Sequence, residues 1–219
     1  MSIVPKPCGT NSMMTICVAA AMLVMPLALM AAKAKLVSGD LTVLKGQTSI
    51  SVEFDYAGMT VGGKDTPEAQ WLAEEVAKRN GQKAGSGDAF KATWGSSRAE
   101  LYAPRFLEQL NKELDKAGAK AALGAATPQY RLIVRTVNVE PGANIGFNTQ
   151  PSATLEVRLV DSAKPDEPLA TIGIEKIRPA TKKVGGIKVG GYDAVARLLE
   201  CYDDGGEALG ELIVRLGLK

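Results

Sequence analysis

Gly58 to Lys64, within "YAGMTVGGKDTPEAQW", has the spacing G-x-x-x-x-G-K of a nucleotide-binding P-loop, with a strand expected before it and a helix after it. In such a loop, backbone N–H groups cradle phosphates, and a Ser or Thr after the lysine holds magnesium. Asp65 stands at that position here and would set a carboxylate beside the phosphates. The helix signals also come too late: Thr66 is the expected N-cap, Pro67 the first helical position and Glu68 part of the first turn. "TLEVRLVD", ending in Asp161, resembles the magnesium-binding strand of P-loop proteins only superficially. The segment therefore reads as a strand-to-helix connection, and no nucleotide is expected.

Two other groups of side chains could do chemistry. Glu53 and Asp55 share one side of the strand "TSISVEFDYAG" and, with Glu156, offer the paired carboxylates that glycosidases use. Alternation alone puts acids on the wet face of a sheet, and nothing in the sequence desolvates one acid and not another, so the solvated face is the stronger reading. The segment "EKIRPATKKVGGIKVGGYD" carries Lys176, Arg178, Lys182, Lys183 and Lys188 with no acid among them, interleaved with Gly185-Gly186 and Gly190-Gly191. Gly-rich backbone can form N–H nests for anions, so these five residues are the candidate binding site for a phosphate, sulfate or carboxylate on a glycan or lipid headgroup, or for an envelope protein partner. The plainer alternative is a solvated loop. "VGGKD" at 61–65 echoes "VGGYD" at 189–193, but two short echoes do not make a repeat.

Composition narrows the remaining chemistry. The chain has 219 residues and no histidine, which removes the usual neutral-pH base, Ser-His and Cys-His nucleophile pairs and the commonest zinc ligand. No D-x-D-x-D calcium loop is present, and no metal or cofactor is expected. Cys201, among Leu198, Leu199 and Tyr202, reads as a small core residue. Trp71 and Trp94 read as packing anchors in an aromatic-poor chain, although either could stack on a sugar.

Ile16 to Ala32 is apolar throughout, is interrupted by Pro26 and is followed by Ala32-Lys33-Ala34, the pattern of a signal peptide cleaved near Ala34. The alternative is an uncleaved anchor through residues 16–32, which is the only case in which a membrane is expected as a partner. The start codon could be Met1, Met13 or Met14. Cleavage removes Lys6 and Lys33, leaving 24 basic against 24 acidic side chains, so no global attraction to nucleic acid is expected. The domains are then 1–34 signal peptide and 35–219 a single folded unit, periplasmic or secreted.

The elements that must position these residues follow from periodicity. Ile50, Val52, Phe54 and Tyr56 alternate along the first strand. A helix is expected from Thr66 to Lys78-Arg79, stopped by Asn80-Gly81, followed by a Gly- and Ser-rich stretch whose Phe90 and Trp94 fold back on the core. Phe106, Leu107, Leu110, Leu114 and Ala117 form the stripe of the next helix, ended by Gly118. "QYRLIVRTVNVEPG" reads as a central strand, and "SATLEVRLVDS" and "LATIGIEKI" as a hairpin turning at "AKPDEP". The spacing of Leu198, Tyr202, Gly205, Leu209, Leu212 and Leu216 predicts one long helix running through Gly205-Gly206. The fold class is therefore α+β: a mixed sheet of about four strands, in the order strand, helices, three strands, long C-terminal helix, with helices on one face.

In that order, "YRLIVRTVNVEPG", "ATLEVRLVDS" and "RLLECYDDGGEALGELI" together resemble exported, mostly uncharacterised α+β proteins of Gram-negative bacteria. More distantly the chain is similar to the small α+β domain of periplasmic and outer-membrane assembly lipoproteins, but it lacks their lipidated cysteine after the signal. The resemblance implies no catalytic residue. The chain reads as a non-enzymatic envelope binding or accessory module, with a carboxylate-dependent glycan enzyme or a structural oligomer subunit as alternatives.

Overall fold

The computed structural model describes Met1 and residues 32–142, 149–178, 183–184, 187–188 and 193–219. The long apolar run before residue 32 lies outside the described residues. Among the described residues no helix is long and apolar enough to cross a membrane.

The alternating segments form the expected long strands. These are β2 (Ser49–Asp55), β6 (Tyr130–Glu140), β7 (Ser152–Asp161) and β8 (Lys164–Ile177). The sheet is larger than the four strands expected, because it also holds β1 (Ala34–Gly39), β3 (Thr60–Val61), β4 (Thr66–Pro67) and β5 (Lys120–Leu123), for eight strands in all. Its order is β1-β8-β7-β6-β2-β5, with β3 and β4 appended beside β6. The four missed strands have two to six residues each, too few to show a period of two, and β5 lies in an Ala-rich link. β6 is central as expected, antiparallel to β7 and parallel to β2. The sheet is therefore mixed.

The β7–β8 hairpin forms, but its turn is Ser162-Ala163 and not "AKPDEP". Asp161 Oδ1 accepts the Ala163 N–H at 2.8 Å and β8 resumes at Lys164. Pro165 and Pro168 are tolerated within β8 because β1 pairs only with residues 170–174, leaving this end of β8 at an edge.

Among the described residues four α-helices accompany the sheet: α1 (Glu68–Gln82), α2 (Ser86–Ser97), α3 (Ala103–Leu114) and α4 (Ala194–Ile213). α1 differs from expectation at both ends. Thr66-Pro67 pairs with Thr60-Val61 as β4, so the helix starts at Glu68, and it runs through Asn80-Gly81 to Gln82. The Gly- and Ser-rich stretch becomes α2, which buries Phe90 and Trp94. Trp71, Phe90 and Trp94 pack as one aromatic group, with ring centroids 4.8 to 6.2 Å apart, so both tryptophans serve packing.

α4 continues through Gly205-Gly206, and packing explains the two glycines. A Cβ on Gly206 would lie 2.2 Å from the carbonyl oxygen of Phe106, and one on Gly210 would lie 2.5 Å from Cβ of Glu113, so α3 and α4 meet backbone to backbone. Phe106 then reaches the sheet, its ring edge-on to Phe54 at 5.4 Å. Ile50, Val52, Leu132, Val134, Leu155, Val157, Ile172 and Ile174 line the same helix-covered face, all almost fully buried. Helices on one face of a mixed α+β sheet are thus confirmed.

One charge is buried between α3 and α4. Asp203, 2% exposed, accepts from Arg105 Nε at 2.7 Å and from Gln109 Nε2 at 2.5 Å. Removing the cation while leaving the carboxylate buried is the costly half of such a pair. Arg105→Ala is therefore expected to lower stability by about 3 kcal/mol in urea unfolding, and Arg105→Ala with Asp203→Asn together by clearly less than the sum of the two single changes.

Candidate functional site

The face of the sheet away from the helices carries the polar alternates. In register across it run Asp55, Arg135, Glu156, Gly173 and Lys35, on β2, β6, β7, β8 and β1. A neighbouring row places Glu53 beside Ile133 and then Arg158. Arg131 Nη1 meets Glu53 Oε2 at 3.0 Å, and Asp55 Oδ1 accepts the Ala57 N–H at 2.8 Å. Glu53 and Asp55 are thus separated from Glu156 by the whole of β6, with Arg135 between Asp55 and Glu156. They stand on a sheet face as interleaved charges and do not converge on one point.

The G-x-x-x-x-G-K segment folds as a small hairpin. β3 and β4 pair across the turn Gly62–Asp65, and Asp65 takes a left-handed conformation with φ 52°. Lys64 is thus in the turn, four residues before α1 begins, and its neighbouring amides do not open onto a helix N-terminus. Asn138 fastens the turn to β6, its Nδ2 donating to Asp65 Oδ1 at 2.9 Å, Thr60 Oγ1 at 2.9 Å and the Gly62 carbonyl at 3.2 Å.

The basic segment divides. Lys182 lies outside the described residues. Lys183 and Lys188 belong to a two-stranded ribbon, β9 (Lys183–Val184) with β10 (Ile187–Lys188), where they are register partners. Lys176 and Arg178 stand at the end of β8, and a bulge sets their direction. Between the pairs Ala153–Ile177 and Leu155–Ile174, β8 has two residues, Glu175 and Lys176, opposite the single Thr154. Lys176 absorbs the extra residue with φ 47°, a left-handed conformation rare for a side chain of its kind, and its N–H reaches Thr154 Oγ1 at 3.4 Å. Both Lys176 and Arg178 are exposed, and neither makes an ion pair among the described residues.

Lys176 and Arg178 line two adjoining cavities. The first, about 830 Å³, also holds Gly62, Asn138, Gln150, Ser152 and Thr154, so the P-loop-like turn and the basic segment share one site. Its acids are engaged locally: Asp65 by Asn138, and Glu140 Oε1 by the Gly142 N–H at 2.9 Å. The second cavity, about 560 Å³, runs between β1 and β8 and is lined by Lys33, Lys35, Val37, Gly173, Glu175 and the same two cations. Gly173 leaves its floor without a side chain. Sequence reading missed the contribution of Asn138, Thr154 and Lys35, because only the strand register brings them beside Lys176.

A third cavity, about 630 Å³, lies where β5 has ended and β2 continues, among Phe54, Tyr56, Arg98, Ala103, Glu53 and Arg131. Arg98 lies over the Tyr56 ring at 4.5 Å and pairs with Glu68, which also accepts from Trp94 Nε1 at 2.6 Å. Cys201 is fully buried, and burial pushes its thiol well above the usual cysteine value, so it packs as the sequence suggested.

No family model matches the sequence, and no match was found among curated proteins. Similar solved structures include a PelC dodecamer variant from Paraburkholderia phytofirmans, with 12% identity, 83% of this chain and 97% of that one covered, and a TM-score of 0.34. A DUF330 protein from Xanthomonas campestris has 14% identity, coverage of 77% and 84%, and a TM-score of 0.33. A neuraminyllactose-binding hemagglutinin homologue from Helicobacter pylori has 12% identity, coverage of 82% and 87%, and a TM-score of 0.32. These are distant neighbours of the chain, and likeness at this level carries no argument about what it does.

Proposed function

We propose that the chain is a non-enzymatic binding module of the cell envelope that holds an anionic ligand at the end of β8. The observation that supports this is the bulge at Glu175-Lys176. It holds a lysine in a left-handed conformation and places two exposed cations, with no ion-pair partner among the described residues, at the rim of a polar cavity whose acids Asp65 and Glu140 are hydrogen-bonded to Asn138 and the Gly142 N–H. Backbone strain held at such a place is a mark of function, since a plain strand end would not need it. The hydroxyls of Ser152 and Thr154 supply neutral hydrogen-bonding groups around the charges. The envelope assignment rests on the apolar run Ile16 to Ala32 and the Ala32-Lys33-Ala34 site that follows it.

Lys176→Gly tests the reading, because glycine relieves the left-handed conformation while removing the charge. The variant is expected to melt at the same temperature as the parent or higher, and to bind galacturonate and sulfate at least about tenfold more weakly by calorimetry, the value of one charge-assisted hydrogen bond. Unchanged binding of these anions, or no binding by the parent protein, overturns the proposal.

A further inference from the structure

The two cavities share Lys176 and Arg178 in their linings, and this extends the reading above, on which it rests. We infer that the ligand is an extended acidic glycan chain, lying from the Gly62–Asp65 turn across Lys176 and Arg178 into the trough between β1 and β8. Three cations, Lys35, Lys176 and Arg178, remain after cleavage near Ala34 and border the path through the second cavity against the single acid Glu175. Lys35 is in register with Gly173, so the path from Lys35 to Arg178 follows five residues of strand, roughly 15 Å, which is more than one sugar ring covers. Gly173 leaves the floor of the trough without a side chain, where a Cβ would stand in contact with Val37 Cγ2 at 3.4 Å.

The lining selects among polyanions. The first cavity offers the amide of Gln150 and the hydroxyls of Ser152 and Thr154, groups that pair with a polyhydroxylated chain. Among the described residues neither cavity is lined by an aromatic side chain of the kind on which single-stranded nucleic acid stacks. Spaced carboxylates along one chain would engage the two cavities together, and the second contact would then be gained at high effective concentration.

The test uses the protein as processed and purified from an expressing cell, with fluorescently labelled oligogalacturonides of increasing length and galacturonate as a competitor. Affinity is expected to rise at least about tenfold from the single sugar to a six-residue chain. Lys35→Glu should abolish that gain, and Lys176→Gly should weaken binding of the long chain and of galacturonate alike. Equal affinity for short and long chains overturns the extended path but leaves the anion site standing. No binding at any length, with no binding of galacturonate, overturns both. Tighter binding of polyphosphate of matched charge than of the acidic glycan overturns the glycan class.

Discussion

Gly206→Ala is expected to be strongly damaging for a single added methyl, costing about 3 kcal/mol or more and lowering the melting temperature by roughly 10 °C. The added Cβ would meet the Phe106 carbonyl oxygen at 2.2 Å, and backbone cannot rotate away as a side chain can. Separating α3 from α4 would also pull Phe106 off Phe54 and open the centre of the core. Gly205→Ala is the internal control. Its Cβ would touch only side-chain atoms, the ends of Ile177 and Leu155 at 3.1 and 3.2 Å and the Phe106 ring at 3.5 Å, and alanine gains about 1 kcal/mol of helix propensity over glycine. The two neighbours should therefore differ by several kcal/mol in chemical denaturation. Equal stabilities would mean that α3 and α4 do not pack as closely as described.

Alkaline pH should produce the second large effect. Tyr102 and Tyr202 stack at 4.6 Å and 6° in the core, with Tyr202 bonded to Thr136 Oγ1 at 2.9 Å and the Tyr102 hydroxyl donating to the Val195 carbonyl at 3.3 Å. Burial pushes Tyr56 up to about 12 and raises Tyr102 and Tyr202 well above the ordinary tyrosine value of 10.0. The unfolded chain ionises these phenols first, so the folded state holds more protons once pH passes the unfolded value. Their contribution is complete below pH 10 and is lost as pH rises toward the folded values. Tyr56 alone accounts for about 2 to 3 kcal/mol across that window. Urea midpoints should be flat in this respect up to about pH 10 and fall steeply above it. Tyr56→Phe should soften the fall. A parent protein whose stability is unchanged to pH 12 would show that the three phenols are solvated.

Legibility in the sequence followed element length. β7, the apolar half of β8, and α4 carry enough residues for their periods to show, and the stripe of α4 remains in phase across Gly205-Gly206 because those glycines are contact positions. β3, β4 and β5 are too short to have a period, and their pairing is decided by partners far along the chain. Thr66-Pro67 shows the competition directly: the cap signals were present, yet the left-handed Asp65 turned the chain back along β3 before the helix could begin. Half of the candidate site was legible in the same sense. Lys176 and Arg178 stand out as unopposed charges in one segment, whereas Asn138, Thr154 and Lys35 become their neighbours only through β6, β7 and β1.

The strand pairing also governs when this chain can fold. β1 has a single neighbour, and residue 34 meets residue 174, while β2 must wait for β6 before either of its parallel ladders is anchored centrally. Contacts of such sequence separation require large loops to close before they return any stability, which places the protein among slow folders. A nascent chain would therefore remain threadable until nearly all of it had emerged. Under the export proposed above, late closure of the sheet would keep translocation ahead of folding.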